Sequence, residues 1–206
     1  MKFLTTILLV SALGVSLSQA QSKTPPVYRT YEAADAPHYK NSTTAGGSAG
    51  FVNGIGLMYR HWFEQNGFQA SLLPIIQIDG ENRTLFVDFG ATYLHALWES
   101  KMADWLYQPT RSLVYSYAGL HYNLDSEKNL EWGSDYMDHN VFAGGGLGFQ
   151  LNINSIQFSL GLGFAGHLGQ YSDYINNSPG TNESPDRSTR GIQPTIDATL
   201  GYTFGW

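Results

Sequence analysis

Six polar residues set among apolar runs are the ones that could do chemistry: Arg60, Asp79, Asp88, His121, His167 and Asp197. Imidazoles and carboxylates brought together could move a proton or act as acid and base. The same residues could instead make a paired, hydrogen-bonded interior, because a charge taken out of water needs a partner. The second reading asks only for a fold with a polar inside, and it is the one favoured here. His139 stands near Asp135 and Asp138, but no second histidine lies at a spacing that suits a metal, so no metal or other cofactor is expected. The run Gly144-Gly145-Gly146-Leu147-Gly148 is no phosphate loop, since it sits inside a strand pattern with no helix after it. Cysteine is absent, which excludes thiol chemistry and a disulfide framework.

The elements that must position these residues are strands. In residues 191–206, Ile192, Pro194, Ile196, Ala198, Leu200, Tyr202, Phe204 and Trp206 alternate with Gly191, Gln193, Thr195, Asp197, Thr199, Gly201, Thr203 and Gly205. Alternate side chains of a strand point to opposite faces, so this is a ribbon with one apolar, aromatic-ended face and one small, polar face. Residues 155–168 repeat the pattern most cleanly, with Ile156, Phe158, Leu160, Leu162 and Phe164 set against Ser155, Gln157, Ser159, Gly161 and Gly163. Residues 50–63, 68–79, 84–98 and 140–152 read the same way, and residues 112–124 do so with poorer alternation. Pro74 cannot donate to a ladder and suggests a bulge or a locally open edge in its strand. Polar loops are expected over residues 125–138 and 171–190, and residues 99–110 break the pattern.

Composition agrees with strands that face oil on one side. Charged residues are 14% and aromatics 14%, with 23 glycines and a net charge of -6. Mean hydropathy is only -0.23. A helical membrane protein would be far more apolar, whereas a transmembrane β-barrel averages its lipid face against its polar lumen. Basic residues are not clustered, which argues against nucleic acid as a partner. Residues 1–20 read as a cleavable secretory signal, with Lys2, an apolar run from Phe3 to Leu17, and Ser18-Gln19-Ala20 before the cut. Residues 21–49 read as a Pro-, Ser-, Thr- and Gly-rich leader in which residues 27–32 (VYRTYE) could form one short strand.

Seven clear strands are one short of the even number that a single-chain bacterial barrel carries. The fold class expected is therefore an all-β, transmembrane, antiparallel up-and-down barrel of about eight strands over residues 50–206, with residues 27–32 supplying the eighth. A barrel of that size is just wide enough for side chains to fill. Inward-facing Gly144, Gly146, Gly148, Gly161 and Gly163 would leave room for Tyr115 and Tyr117 in a packed polar lumen.

The final residues Thr199, Gly201, Phe204 and Trp206 are spaced as polar-x-Gly-x-x-aromatic-x-aromatic. This resembles the assembly signal of outer-membrane β-barrel proteins, with Trp where Phe is usual. With the signal peptide and the strand pattern, the chain resembles the small barrels of diderm (Gram-negative) bacterial outer membranes. The resemblance implies an outer-membrane location, lipid as the surroundings and the barrel-assembly machinery as a partner.

The resemblance leaves function open, because fold alone does not supply it. The reading favoured is a non-enzymatic barrel whose external loops do structural, adhesive or ligand-binding work, with Trp132, Tyr136, Tyr171 and Tyr174 as binding aromatics. Those four, with Trp105 and Tyr107, lie near strand ends and read most simply as interfacial anchors, binding of a ligand or host surface being the sharper alternative for the four. The alternatives are a lipid-modifying enzyme, such as a lipid A deacylase or acyltransferase, and a narrow small-solute channel. The deacylases carry a nucleophilic Ser two residues after a His, whereas His61 here is followed at that spacing by Phe63.

Overall fold

The computed structural model describes residues 41–101, 110–131, 134–175 and 187–204. They form eight strands: β1 Thr43–Gly50, β2 Gly56–Phe63, β3 Asn66–Asp79, β4 Asn82–Lys101, β5 Thr110–Asn129, β6 Ser134–Ile153, β7 Ile156–Ile175 and β8 Arg187–Phe204. Each pairs antiparallel with the next, and β1 also pairs with β8, so the sheet closes on itself as a barrel.

The side-chain alternation sorts the two faces in the reverse of the usual order. On β7, Ile156, Phe158, Leu160, Leu162 and Phe164 are exposed while Gln157 and Ser159 are buried. On β8, Ile196, Leu200, Tyr202 and Phe204 are exposed while Thr195, Asp197, Thr199 and Thr203 are buried. Leu57 keeps 78% of its surface free, whereas its near neighbour Arg60 keeps none. Large apolar side chains thus clothe the outside, and polar groups fill the inside.

Two tight connections mark one end of the barrel, between Phe63 and Asn66 and between Ile153 and Ile156. Glu64 (φ 54°) and Asn154 (φ 51°) take the left-handed conformation that such short hairpin turns demand. β1 begins and β8 finishes at this same end, where Thr43 pairs with Phe204.

The eighth strand is not where the sequence suggested. It is Thr43–Gly50, inside the stretch read as leader, and residues 27–32 lie outside the described residues. The barrel therefore starts at Thr43 rather than Gly50, and the single strand expected over residues 50–63 is two elements joined by residues 51–55. Strand also extends into both expected loops. Residues 125–129 pair with 134–138, and residues 171–175 and 187–190 continue β7 and β8. In sequence these stretches mix polar residues at odd and even positions (DSEKN at 125–129, RSTR at 187–190), so alternation carries little signal there.

The strands differ greatly in length. β1 and β2 have 8 residues each, and β4 to β7 have 20 each. At about 3.3 Å per residue the long strands run on the order of 40 Å further than the short pair. The top pairs of the short strands are Leu57 with Leu72 of β3 and Gly50 with Asp197 of β8. Beyond them, residues 73–79 pair only with β4 and residues 187–196 only with β7 among the described residues. The wall thus has a gap two strands wide, and Pro74 stands on its β3 rim, which matches the open edge inferred from that proline.

Candidate functional site: the loop-filled barrel interior

Residues 51–55, which join β1 to β2, fold into the barrel below the gap. Val52 and Asn53 are buried, while Phe51 and Ile55 stay partly exposed on the upper surface. The loop can make this turn because Gly54 (φ 72°) and Gly56 (φ 129°) adopt left-handed backbone that other residues resist. A side chain at Gly54 would also strike Ser71 Oγ at 2.6 Å and Asp88 Oδ1 at 2.8 Å.

The inward polar residues hold this loop by its backbone. Asp197 Oδ1 accepts from the amides of Val52 (3.0 Å) and Asn53 (2.9 Å), and Asp197 Oδ2 accepts from the Tyr117 hydroxyl (3.0 Å). Asp88 Oδ1 accepts from the Ile55 amide at 2.7 Å. Asp88 Oδ2 meets His121 Nε2 at 2.8 Å, and His121 Nδ1 lies 3.2 Å from the Phe51 carbonyl. Thr92 donates to the Asn53 side-chain oxygen at 3.0 Å, and Ser71 donates to the Asn53 carbonyl. Buried amides need acceptors, and charge-assisted bonds of this kind are the strong ones.

A second layer lies nearer the turn end. Arg60 is wholly buried, yet its hydrogen-bond partners are neutral: Gln69 Oε1 (2.8 Å), Gln150 Oε1 (2.8 Å), Ser159 Oγ (3.2 Å) and Thr199 Oγ1 (3.4 Å). The guanidinium also stands 5.6 Å from the centre of the Tyr115 ring, whose electron-rich face spreads part of the charge. Tyr115 and Tyr117 fill the space opposite Gly148 and Gly161, as the sequence suggested. A side chain at Gly148 would overlap the Tyr115 ring, and one at Gly161 would come within 2.9 Å of Tyr117. The interior is less polar than expected, because Trp62, Leu94 and Leu113 also point inward and are buried. Trp62 follows the same inward parity as Arg60, so it packs edge-on to Tyr115 at 6.0 Å instead of joining the outer aromatics.

Of the six residues singled out, the structure brings Asp88, His121 and Asp197 together around the loop and sets Arg60 in the layer beneath. His167 is separate: it bonds Asn140 Oδ1 at 2.8 Å and stacks on Phe142, with ring centres 4.7 Å apart. Phe142 stacks on His121 as well, at 5.1 Å, and touches Phe51 at 5.6 Å. Asp79 does not belong to the lumen at all. It lies exposed at the β3–β4 tip, because the inward parity of β3 continues past the height at which β2 ends.

The proposed loop aromatics fare unevenly. Tyr136 and Tyr171 are on strands, not loops, and meet edge-on at 5.2 Å on the inner side of the long hairpins. Burial, and then the carboxylates of Asp138 and Asp125, push the Tyr136 phenol above its usual range. Tyr174 is within β7, and Trp132, Trp105 and Tyr107 lie outside the described residues. Among the assembly-signal positions, Thr199 is buried against Ser159, Gly201 packs on Thr44, Phe204 is exposed, and Trp206 lies outside the described residues.

No catalytic arrangement emerges among the described residues. The Asp88–His121 pair has the orientation of an acid–base dyad, but the second ring nitrogen faces the Phe51 carbonyl, where a nucleophile would have to be. His61 is on the outer face beside Thr43 Oγ1 at 2.9 Å, and among the described residues no carboxylate pairs with it. No group of three or more metal-ligating side chains occurs among the described residues. Sequence reasoning missed the loop and the aromatic stack. The only signal for either was the pair Gly54 and Gly56 interrupting an otherwise regular alternation. Comparison with protein families, characterised proteins and solved structures finds no match to this chain.

Proposed function

We propose that this chain is a small, non-conducting outer-membrane β-barrel of a diderm bacterium, with binding work done by the strands that rise above its packed layers. The observation that carries the reading is the inverted distribution of polarity. Arg60, Asp88 and Asp197 are buried inside while Ile156, Leu160, Leu162, Ile196 and Leu200 line the outside. In water such an exterior would aggregate, whereas against acyl chains it is the stable arrangement. A closed sheet also leaves no open edge where all eight strands are present, which a spanning structure requires. On this reading residues 1–20 direct export and are removed, and the terminal residues Thr199, Gly201, Phe204 and Trp206 are read by the assembly machinery.

The filled interior favours a binding protein over a channel. Residues 51–55 cross the lumen, and Trp62, Arg60 and Tyr115 are fully buried beneath them. In planar bilayers the purified mature protein should therefore give no ion current. Stable, reproducible conductance steps would refute the non-conducting reading. Unheated samples that migrate no differently from boiled ones on a denaturing gel would refute the membrane barrel itself.

A further inference from the structure

We propose that the gap between β3 and β8 is a side door through which an acyl chain of a surrounding membrane lipid enters the upper barrel. The inference rests on the bilayer reading above and adds a ligand class and a route to it. Three features lead there. First, the gap lies within the apolar exterior. Its β3 rim carries Ile76 and Ile78, 71% and 70% exposed, and its β8 rim carries Ile192 and Ile196, 82% and 63% exposed. Second, the sill is apolar and leads inward. Phe51 and Ile55 form it, Ile75 on the inner side of β3 is open, and Phe51 contacts Phe142 in the stack with His121 and His167.

Third, the rims are built against the other natural occupant, an added strand. An open sheet edge invites a pairing strand, and proline is one device that blunts it. Each rim carries a proline just above the sill, Pro74 on β3 and Pro194 on β8, so each lacks an amide there. The floor is closed by the loop that Asp88 and Asp197 hold, so a chain that enters comes to rest on Phe51 and Phe142 and does not pass through. The occupant that fits a proline-edged opening in the apolar exterior, with an apolar sill of Phe51, Ile55, Ile75 and Phe142 beneath the polar side chains of the longer strands, is a hydrocarbon chain.

The natural absence of cysteine allows a clean test. Single variants Asn140→Cys, on the inner side of β6 across from the gap, and Leu147→Cys, on the outer face of the same strand, are labelled with a small fluorophore. The full mature protein is then refolded into phosphatidylcholine vesicles with or without bromine on the acyl chains. Acyl bromine should quench both labels. Adding Gly191→Trp, at a β8 rim position with open space around it, should restore emission at Asn140 and leave Leu147 quenched. A bright Leu147 label overturns the bilayer reading and the side door with it. A quenched Leu147 label beside a bright Asn140 label overturns the side door alone, as does quenching at Asn140 that survives Gly191→Trp. Rapid disulfide-linked dimers through Ile76→Cys would assign the gap to a second copy of the chain and also overturn it.

Discussion

The two halves of this barrel solve opposite problems. In the half nearest the turns, all eight strands are paired and most polar side chains inside are hydrogen-bonded to the loop or to one another. Asp197, Asp88 and Arg60 each bind several partners there, and Tyr115 and Tyr117 occupy the room that Gly148 and Gly161 leave. In the other half only β3 to β8 continue, the inward side chains are mostly polar, and two strand edges are open. What separates them is residues 51–55. Folding inward, they complete the packing below and give up the wall above. Stability should therefore be concentrated in the first half and binding in the second.

Substitutions can break that contrast in graded fashion. Asp197→Ala should cost the most, about 3–5 kcal/mol, because two buried amides and the Tyr117 hydroxyl lose a charged acceptor at once. Urea unfolding of the protein refolded in vesicles measures it, and a loss below 1 kcal/mol would mean the loop is held otherwise. Leu160→Arg, on the outer face of β7, should cost about 2–4 kcal/mol near mid-bilayer by the same assay. A neutral result there would place that face in water. Gly148→Leu should overpack Tyr115 and cost about 1–3 kcal/mol, and Tyr115→Ala in the same chain should recover part of the loss. If the double variant is less stable than either single one, the ring and the glycine do not share the space as described. Tyr171→Ala should change stability by no more than about 0.5 kcal/mol, since the long hairpins bury little around it.

That gradient also explains how much could be read from the residues. β6, β7 and β8 were legible because large apolar side chains alternate there with Gly, Ser, Thr and Gln. β1 was not, since TTAGGSAG has no large side chain on either face and alternation needs contrast. The loop was hidden for a different reason: Phe51 and Ile55 keep the parity of the strand that follows, so the pattern runs on while the backbone turns inward. Asp79 was misplaced by the converse error, as its parity is inward but the barrel wall opposite has ended. The lumen assignments of Arg60, Asp88, His121 and Asp197 were legible from parity alone. Which groups they bind was not, because their partners come from distant strands.

One measurement bears most directly on the inside-out barrel. Spin labels placed singly at residues 156–160 and 162 of β7 in the vesicle-bound protein can be relaxed by dissolved oxygen, which favours hydrocarbon, or by a water-soluble nickel chelate. A period of two is expected, with Ile156, Phe158, Leu160 and Leu162 open to oxygen and shielded from nickel, and Gln157 and Ser159 shielded from both. Nickel relaxing the labels at Phe158, Leu160 and Leu162 as it does a label in water would contradict it.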